Sequence, residues 1–272
     1  MQPPTPYRGA VTTTPLAPVL QWAGAASRVR PAEQHLADAP LAPPSQTAGL
    51  AELLGPLGSA RLLAAAPRLA AAPRGDGHVV VDVPGWKAPE VTGLPLRGYL
   101  RRIGYDARGW GLGTNAGDPE RDVDRLAEVV EQHARRTGRR VSLVGWSLGG
   151  VLAREVARTR PTLVRRVVTY GTPAVGGPTY TAGAATWGEE ACARAAELTE
   201  QWDRDTPISV PVTALFSRRD GVVDWRACVD RTSRAVENVE VGSRHLGMGT
   251  DPDVWSVVAD RLARPDALRR ED

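Results

Sequence analysis

Hydrophobic and polar residues alternate between two patterns along most of this chain. Short apolar runs predict strands, and segments whose apolar residues recur three and four positions apart predict helices. Strands are expected at 79–83, 105–110, 141–145, 166–171, 212–217 and 239–242, and helices at 94–103, 118–137 and 148–160. Strands that alternate with helices predict an α/β fold, in which a mostly parallel sheet is covered by helices on both faces.

The first 75 residues follow neither pattern for long. They are rich in Ala, Pro and Leu, with nine prolines before residue 45 and a helical patch expected at 47–66. Because proline ends or kinks a helix, residues 1–75 are interpreted as an N-terminal arm of short helices, and residues 76–272 as the main domain. The sequence leaves open whether this arm is flexible or wraps the core.

A long connection follows the fourth of these strands. Compact domains rarely keep so long a link without a purpose, so 173–208 is interpreted as a small helical cap inserted in the main domain, with an ordinary surface helix as the alternative. A helix is expected at 189–202. Its apolar stripe is expected to pack over the active face of the sheet and consists of Ala191, Ala195, Leu198 and Trp202.

The composition and charge of the chain limit the classes of molecule that it is expected to bind. The 272 residues, 42% of them hydrophobic, suffice for one large domain with a full core. The 34 Lys and Arg against 31 Asp and Glu give a net charge of only +3, and the arginines are scattered through helical segments. This distribution favours a solvated surface over nucleic-acid binding.

The cysteines and the apolar runs indicate the cellular compartment of the protein. Cys192 and Cys228 form neither a disulfide framework nor a metal-ligand spacing, so free thiols are expected, with one bridge between them left open. The N-terminus lacks the pattern of a signal peptide, and no apolar run approaches the length of a membrane span. The expectation is a cytoplasmic protein that uses no metal or organic cofactor.

One segment carries the strongest chemical signal. The apolar run at 141–145 leads into a Gly-x-Ser-x-Gly turn with Ser147 at its centre, and a helical pattern follows at once. A serine on such a strand-to-helix turn has a strained backbone, and the flanking Gly145 and Gly149 allow close approach of neighbouring chain. Ser147 is therefore the candidate nucleophile, and the N–H of Leu148 a candidate oxyanion donor.

A serine nucleophile needs a histidine base. His35 lies in the N-terminal arm, His78 precedes the first strand of the main domain, and His133 lies on the helix before the candidate nucleophile. Only His245 follows the last predicted strand, so it is the candidate base.

The base needs an acid to orient it. Asp220 lies directly after the strand at 212–217, which gives the chain order Ser, Asp, His. Asp224 is the competing candidate, although it is expected instead to cap a helix or to pair with Arg226.

The remaining site residues lie on loops at the same edge of the predicted sheet. The turn after the first strand offers the N–H of Trp86 as a second oxyanion donor. Aromatic side chains on these loops suggest an apolar acyl pocket, with purely structural aromatics as the alternative. The candidate substrate-binding residues are Trp146, Tyr180, Trp187 and Trp225.

Together these motifs resemble the α/β-hydrolase superfamily, and more narrowly an actinobacterial group of small lipase- or esterase-like hydrolases. The resemblance covers residues 73 to about 265. It implies the α/β-hydrolase fold and the Ser147, Asp220 and His245 triad, but it says little about the substrate. Pro84 departs from the His-Gly that many relatives have at this turn, and Asn115 is left between a structural turn and an amide facing the site.

The expected activity is that of a serine hydrolase of the esterase or lipase type, acting on a small-molecule acyl ester or thioester through an acyl-enzyme. One alternative uses the same triad as a biosynthetic thioesterase, acyltransferase or cyclase. The other is a binding protein that keeps the fold without turnover.

Overall fold

A mixed sheet forms the centre of the computed structural model, which describes residues 30–31, 41–54 and 61–266. Within those residues the sheet has seven strands in the order β1-β7-β6-β5-β4-β2-β3. Strands β2 to β7 run parallel, and β1 pairs antiparallel with β7. The bounds are β1 (Arg30–Pro31), β2 (Val79–Val83), β3 (Asp106–Gly109), β4 (Val141–Trp146), β5 (Val164–Tyr170), β6 (Val212–Phe216) and β7 (Val236–Glu240). The predicted α/β class with a mostly parallel sheet is confirmed.

Helices cover both faces of this sheet, as predicted. Apolar side chains of two helices, α4 and α9, pack on one face, and those of α5 and α6 on the other. The helix bounds are α1 (Gln46–Ala51), α2 (Arg61–Ala64), α3 (Ala66–Ala70), α4 (Leu94–Arg102), α5 (Pro119–Thr137), α6 (Leu148–Thr159), α7 (Ala184–Trp187), α8 (Glu189–Asp205) and α9 (Pro252–Ala263). Single 3₁₀ turns lie at Glu90–Gly93, Gly177–Tyr180 and His245–Thr250.

The ends of α5 follow from local sequence. Asp118 caps the helix by accepting the N–H of Arg121, and Pro119 occupies the first position, where no N–H is needed. Gly138 ends it with a φ of 65°, a conformation that costs glycine little.

The last strand begins three residues earlier, and ends two residues earlier, than expected. The sequence predicts a strand at 239–242, whereas β7 begins at Val236 and ends at Glu240. Its polar residues, Glu237, Asn238 and Glu240, hide the strand pattern. Glu237 is stabilised there by an ion pair with Arg261 of α9, and Asn238 by hydrogen bonds with Asp230.

The described part of the N-terminal arm packs against the main domain. The helical patch predicted at 47–66 is replaced by α1, which ends at Ala51, and by α2, which begins at Arg61. Arg61 forms ion pairs with Asp251 and Asp253 at the start of α9. Residues 1–29, 32–40 and 55–60 of the predicted arm lie outside the described residues.

The insertion at 173–208 contains one 3₁₀ turn, α7 and α8. The predicted apolar stripe is wrong in part, because Ala191 is exposed, Trp202 is 41% exposed, and the buried residue of α8 is Cys192. Polar contacts hold the end of α8 instead. The Arg158 guanidinium on α6 donates to the Trp202 carbonyl at 3.0 Å and to the Asp203 carboxylate at 2.5 Å.

Candidate active site

Ser147 stands at the turn from β4 into α6. Its φ of 53° and ψ of −124° lie in a region that residues with a side chain rarely adopt, which costs about 1–3 kcal/mol. The turn is held by the Ser147 N–H, which donates to the Tyr170 carbonyl at 3.0 Å. The strained nucleophile turn expected from the sequence is therefore present.

Glycines make this turn possible. A Cβ on Gly145 would lie 2.5 Å from the Cα of Gly150, and one on Gly149 would lie 2.3 Å from the carbonyl oxygen of Val83. Both distances are far below van der Waals contact, so a side chain at Gly145 would force β4 and α6 apart, and one at Gly149 would force α6 away from β2.

His245 and Asp220 meet at the carboxyl edge of the sheet. His245 Nδ1 lies 2.8 Å from Asp220 Oδ2, and the two residues are only 2% and 7% exposed. The other oxygen of Asp220 accepts the N–H groups of Val222 and Val223, each at 2.8 Å. Because a carboxylate only accepts, Nδ1 carries the proton of this hydrogen bond and Nε2 is left as the basic nitrogen.

Neighbouring contacts place His245 beside the nucleophile turn. Its ring centroid lies 5.5 Å from that of Trp146, the residue before Ser147. A Cβ on Gly171 would lie 2.8 Å from His245 Nδ1, and Gly171 follows the tyrosine that accepts the Ser147 N–H. The loops after β4, β5, β6 and β7 thus converge on one small region.

Asp224 is engaged elsewhere. Its Oδ1 accepts the N–H of Arg226 at 3.0 Å, and its Oδ2 accepts the N–H of Ala42 at 3.0 Å. An ion pair with the Arg226 guanidinium adds to these contacts. The structure therefore places Asp220, and not Asp224, on His245.

The loop after β2 lies against Ser147, the candidate nucleophile. A Cβ on Gly85 would lie 3.3 Å from the Cβ of Ser147, so the backbone leading into Trp86 passes directly beside the serine. Leu148 begins α6, and the first N–H groups of a helix have no intrahelical acceptor. Both candidate oxyanion donors accordingly belong to backbone that borders the serine.

Asn115 braces that loop. The residue is fully buried, and its Nδ2 donates to the Pro84 carbonyl at 2.8 Å. The backbone carbonyl of Asn115 accepts the N–H of Lys87 at 2.7 Å. Lys87 has a φ of 56°, so the loop is held in a strained conformation. The sequence left Asn115 between a structural turn and an amide facing the site, and these contacts are those of a structural residue.

The four aromatic candidates do not form a single pocket. Trp146 lies against His245, and the ring of Trp187 lies 5.8 Å from that of Trp86. Tyr180 and Trp225 belong to a separate apolar cluster around Phe216 and Val223, behind the Asp220 loop. Trp225 stacks on Phe216 with centroids 5.6 Å apart. The predicted pocket residues therefore divide into Trp146 beside His245, Trp187 on Trp86, and a pair in this cluster.

A second Ser-His-Asp arrangement lies at the opposite edge of the sheet. His78 Nε2 is 2.9 Å from Ser142 Oγ, and His78 Nδ1 is 2.5 Å from Asp76 Oδ1. Ser142 is 0% exposed, so no substrate reaches its hydroxyl. Burial lowers the pKa of His78 to about 4, although its hydrogen bond to Asp76 acts in the opposite direction. Its histidine and serine are buried and its aspartate lies at the surface, whereas the turn at Ser147 is partly exposed.

Sequence reasoning missed one residue at the site. Glu52, in the N-terminal arm, is 3% exposed. Its carboxylate accepts the N–H groups of Gly221, His245 and Leu246 at 2.7, 3.1 and 2.9 Å. The residue is separated from these partners by 169 to 194 positions, and no motif around it signals the contact.

Metal-ligand groups, thiols and membrane-spanning helices were also searched for among the described residues. In the part of the chain that the structure describes, no group of three or more His, Cys, Asp or Glu side chains is placed to hold a metal ion. Cys192 and Cys228 are free, as predicted; both are buried, and burial raises the pKa of the Cys228 thiol well above its usual value. No helix among the described residues is long and apolar enough to cross a bilayer.

Comparison with known proteins places the chain in a family. The model of the alpha/beta hydrolase family matches residues 80–271, which contain the nucleophile turn, the acid loop and the histidine loop. The match covers well over half of the chain, so this protein belongs to the α/β hydrolase family. A search of curated proteins found no match.

Solved lipolytic enzymes share the fold. Aspergillus fumigatus lipase B superposes with a TM-score of 0.56 at 17% identity over 69% of this chain, which spans only 53% of that enzyme. The structure described for the metagenome-derived lipolytic enzymes LipS and LipT gives a TM-score of 0.52 at 16% identity, covering 70% of this chain and 93% of the other. Paleococcus ferrophilus monoacylglycerol lipase gives 0.50 at 16% identity, covering 71% and 96%. At such identities the likeness shows the fold alone.

Proposed function

We propose that this protein is a serine hydrolase that cleaves carboxylic esters of the esterase or lipase type. Ser147 is the nucleophile, His245 the general base and Asp220 the acid that orients the base. The observation that carries the proposal is the 2.8 Å hydrogen bond between His245 Nδ1 and Asp220 Oδ2, formed beside a serine held at a φ of 53°.

The chemistry follows from these positions. His245 Nε2 takes the proton of Ser147 as Oγ attacks the ester carbonyl, and the negative charge that develops on the carbonyl oxygen is stabilised by the N–H groups of Leu148 and Trp86. The tetrahedral intermediate collapses as His245 returns the proton to the departing alcohol. Water, deprotonated by the same base, then attacks the acyl-enzyme, which releases the acid and regenerates Ser147.

The buried ion partner supports this role for His245. Protonated imidazole is formed twice in the cycle, and the Asp220 carboxylate at 2.8 Å favours it each time. Two backbone N–H groups fix the other oxygen of Asp220, so the carboxylate keeps its orientation while the charge on the imidazole changes.

A hydrophobic acyl group is the proposed specificity element. Trp146 directly precedes Ser147, and Trp187 packs on Trp86, whose loop borders the serine; these side chains offer apolar surface for the acyl group. The solved structures that share the fold include lipases and other lipolytic enzymes, and this supports a substrate of the same class. The insertion at 173–208, which carries Trp187, is proposed to act as the cap.

Covalent labelling tests the nucleophile. A fluorophosphonate probe is expected to label the wild-type protein and to leave Ser147→Ala unlabelled. Ser142→Ala is the matched control, because Ser142 also contacts a histidine but lies buried at the other edge of the sheet. Labelling of Ser147→Ala at the wild-type rate would refute the proposal, as would an unlabelled wild-type protein.

Product analysis tests the reaction. A series of p-nitrophenyl esters from short to long acyl chains is expected to give the free acid, with a chain-length optimum set by the tryptophan surface. The same reactions are then run with an added thiol or amine. Transfer of the acyl group to that acceptor in place of water would overturn hydrolysis as the physiological reaction and support an acyltransferase.

A further inference from the structure

Glu52 joins the two loops that carry the acid and the base. We propose that Glu52 is a positioning residue for the triad, so that the N-terminal arm is a working part of the active site. The inference rests on the proposed serine hydrolase function. It names a residue that lies outside the stretch matched by the family model, which begins at residue 80.

The contacts of the Glu52 carboxylate suit this role. Oε1 accepts the N–H of Gly221, directly after Asp220, at 2.7 Å and the N–H of His245 itself at 3.1 Å. Oε2 accepts the N–H of Leu246 at 2.9 Å. All three groups are donors, and a carboxylate is the side chain that only accepts. One side chain therefore fixes the loop after β6 to the loop after β7.

Burial makes these hydrogen bonds matter. Glu52 is 3% exposed, so its carboxylate, and not bulk water, is the acceptor for these N–H groups. Charge-assisted hydrogen bonds are stronger than neutral ones, and buried N–H groups left without an acceptor are costly. Loss of the carboxylate is thus expected to shift the His245 loop until its N–H groups find other acceptors.

Helix α1 of the N-terminal arm packs directly on the loop that carries Asp220. A Cβ on Gly221 would lie 2.2 Å from the carbonyl oxygen of Ala48 in α1 and 3.1 Å from the Cγ of Glu52. Glycine at 221 is what allows α1 to rest on this loop. A second contact lies before α1 in the chain, where the N–H of Ala42 donates to the carboxylate of Asp224.

Positioning has a kinetic signature. Proton transfer depends on the distance and angle between Ser147 and His245, whereas binding of the acyl group depends on the tryptophan surface. Misplacing a reacting group by about 1 Å costs about 100-fold in rate. Removal of Glu52 is therefore expected to lower kcat and to leave KM almost unchanged.

The test compares Glu52→Ala, Glu52→Gln and Ser45→Ala in the full chain. Ser45 caps α1, so its variant weakens the same helix while the carboxylate contacts remain. Glu52→Ala is expected to lower kcat about 10- to 100-fold with KM within about threefold of wild type. Glu52→Gln should lose less, because its amide oxygen still accepts from Gly221 and His245. Ser45→Ala should stay within about twofold of wild-type kcat.

A second readout does not depend on turnover. The proton between His245 Nδ1 and Asp220 gives a downfield signal in the proton NMR spectrum, assigned by its absence from His245→Gln. The hydrogen bond between the buried His78 and the exposed Asp76 is expected to give another such signal, assigned with His78→Gln. Glu52→Ala is expected to broaden or shift the first signal and to leave the second in place.

The outcomes separate the two proposals. If Ser147→Ala is inactive while a folded Glu52→Ala keeps kcat within about threefold and an unchanged His245 signal, the positioning role is overturned and the hydrolase stands. If the wild-type protein neither turns over esters nor reacts with the probe, the hydrolase fails and the NMR signal alone decides for Glu52. If Glu52→Ala does not fold, Glu52→Gln decides by the same two readouts.

Discussion

Replacing Asp220 with asparagine tests the proposed triad most sharply, because the two side chains have the same shape. Oδ1 of Asp220 accepts the N–H groups of Val222 and Val223, and Oδ2 lies 2.8 Å from His245 Nδ1. An amide nitrogen cannot accept hydrogen bonds, so the two backbone N–H groups hold the asparagine oxygen at the Oδ1 position. The NH₂ group is then left facing His245.

This orientation determines the tautomer of the base. The NH₂ group donates to Nδ1, so the single proton of His245 moves to Nε2, and this tautomer cannot take the proton of Ser147. The expected loss in kcat is about 10⁴-fold, equivalent to about 5 kcal/mol of transition-state stabilisation.

Asp224→Asn is the matched control. Asp224 lies four residues away, and its oxygens accept the N–H groups of Ala42 and Arg226. Neither contact involves His245, so kcat is expected to fall by less than about tenfold.

Initial rates with p-nitrophenyl acetate give kcat for both variants, and ¹⁵N NMR of histidine-labelled protein at neutral pH reports the tautomer. The wild-type protein should show Nδ1–H at His245, and Asp220→Asn should show Nε2–H. The reasoning fails if Asp220→Asn retains kcat within about tenfold of wild type, or if Asp224→Asn is the more damaging change.

Three further changes give distinct results. The free energy of unfolding of Ser147→Gly should exceed that of Ser147→Ala by about 1 kcal/mol, because glycine adopts a φ of 53° without strain. Equal urea midpoints for the two variants would contradict this prediction. The pKa of His78 is about 4 in the folded protein and about 6.5 in an unfolded chain, so only the unfolded chain gains this proton as the pH falls from 6.5 to 4. The free energy of unfolding should therefore fall over that window by on the order of 3 kcal/mol, and urea titrations of His78→Gln should lack this share of the decrease. Trp187→Ala should raise KM for long p-nitrophenyl esters more than for the acetate, because Trp187 lies against Trp86 near the nucleophile; Trp225→Ala, in the separate cluster, should show no such selectivity.

Much of the fold could be predicted because its signals are local. The strand into Ser147, the two close-packed glycines and the following helix occupy a single short segment, and sterics within that segment dictate the turn. Asp118 and Gly138 mark the ends of α5 through contacts with residues three or four positions away. Chain order within the family's strand pattern then placed Asp220 and His245 on loops at one edge of the sheet.

Other features were invisible or misplaced because they depend on what packs next to them. Glu237 in β7 is acceptable because it pairs with Arg261 of α9, a contact that no local pattern signals. Trp225 was expected near the substrate, yet it stacks on Phe216 behind the Asp220 loop. An aromatic residue on a loop gives no local signal of which neighbours it will meet.

The sequence by itself determined the class of fold, the nucleophile turn and the order of the candidate triad, since each follows from periodicity or backbone sterics over a few residues. Only the tertiary structure decided that Asn115 braces the loop beside Ser147 and that Glu52 joins the acid and base loops. Glu52 meets partners 169 to 194 residues away, and such contacts arise only when the folded sheet brings distant loops to the same edge.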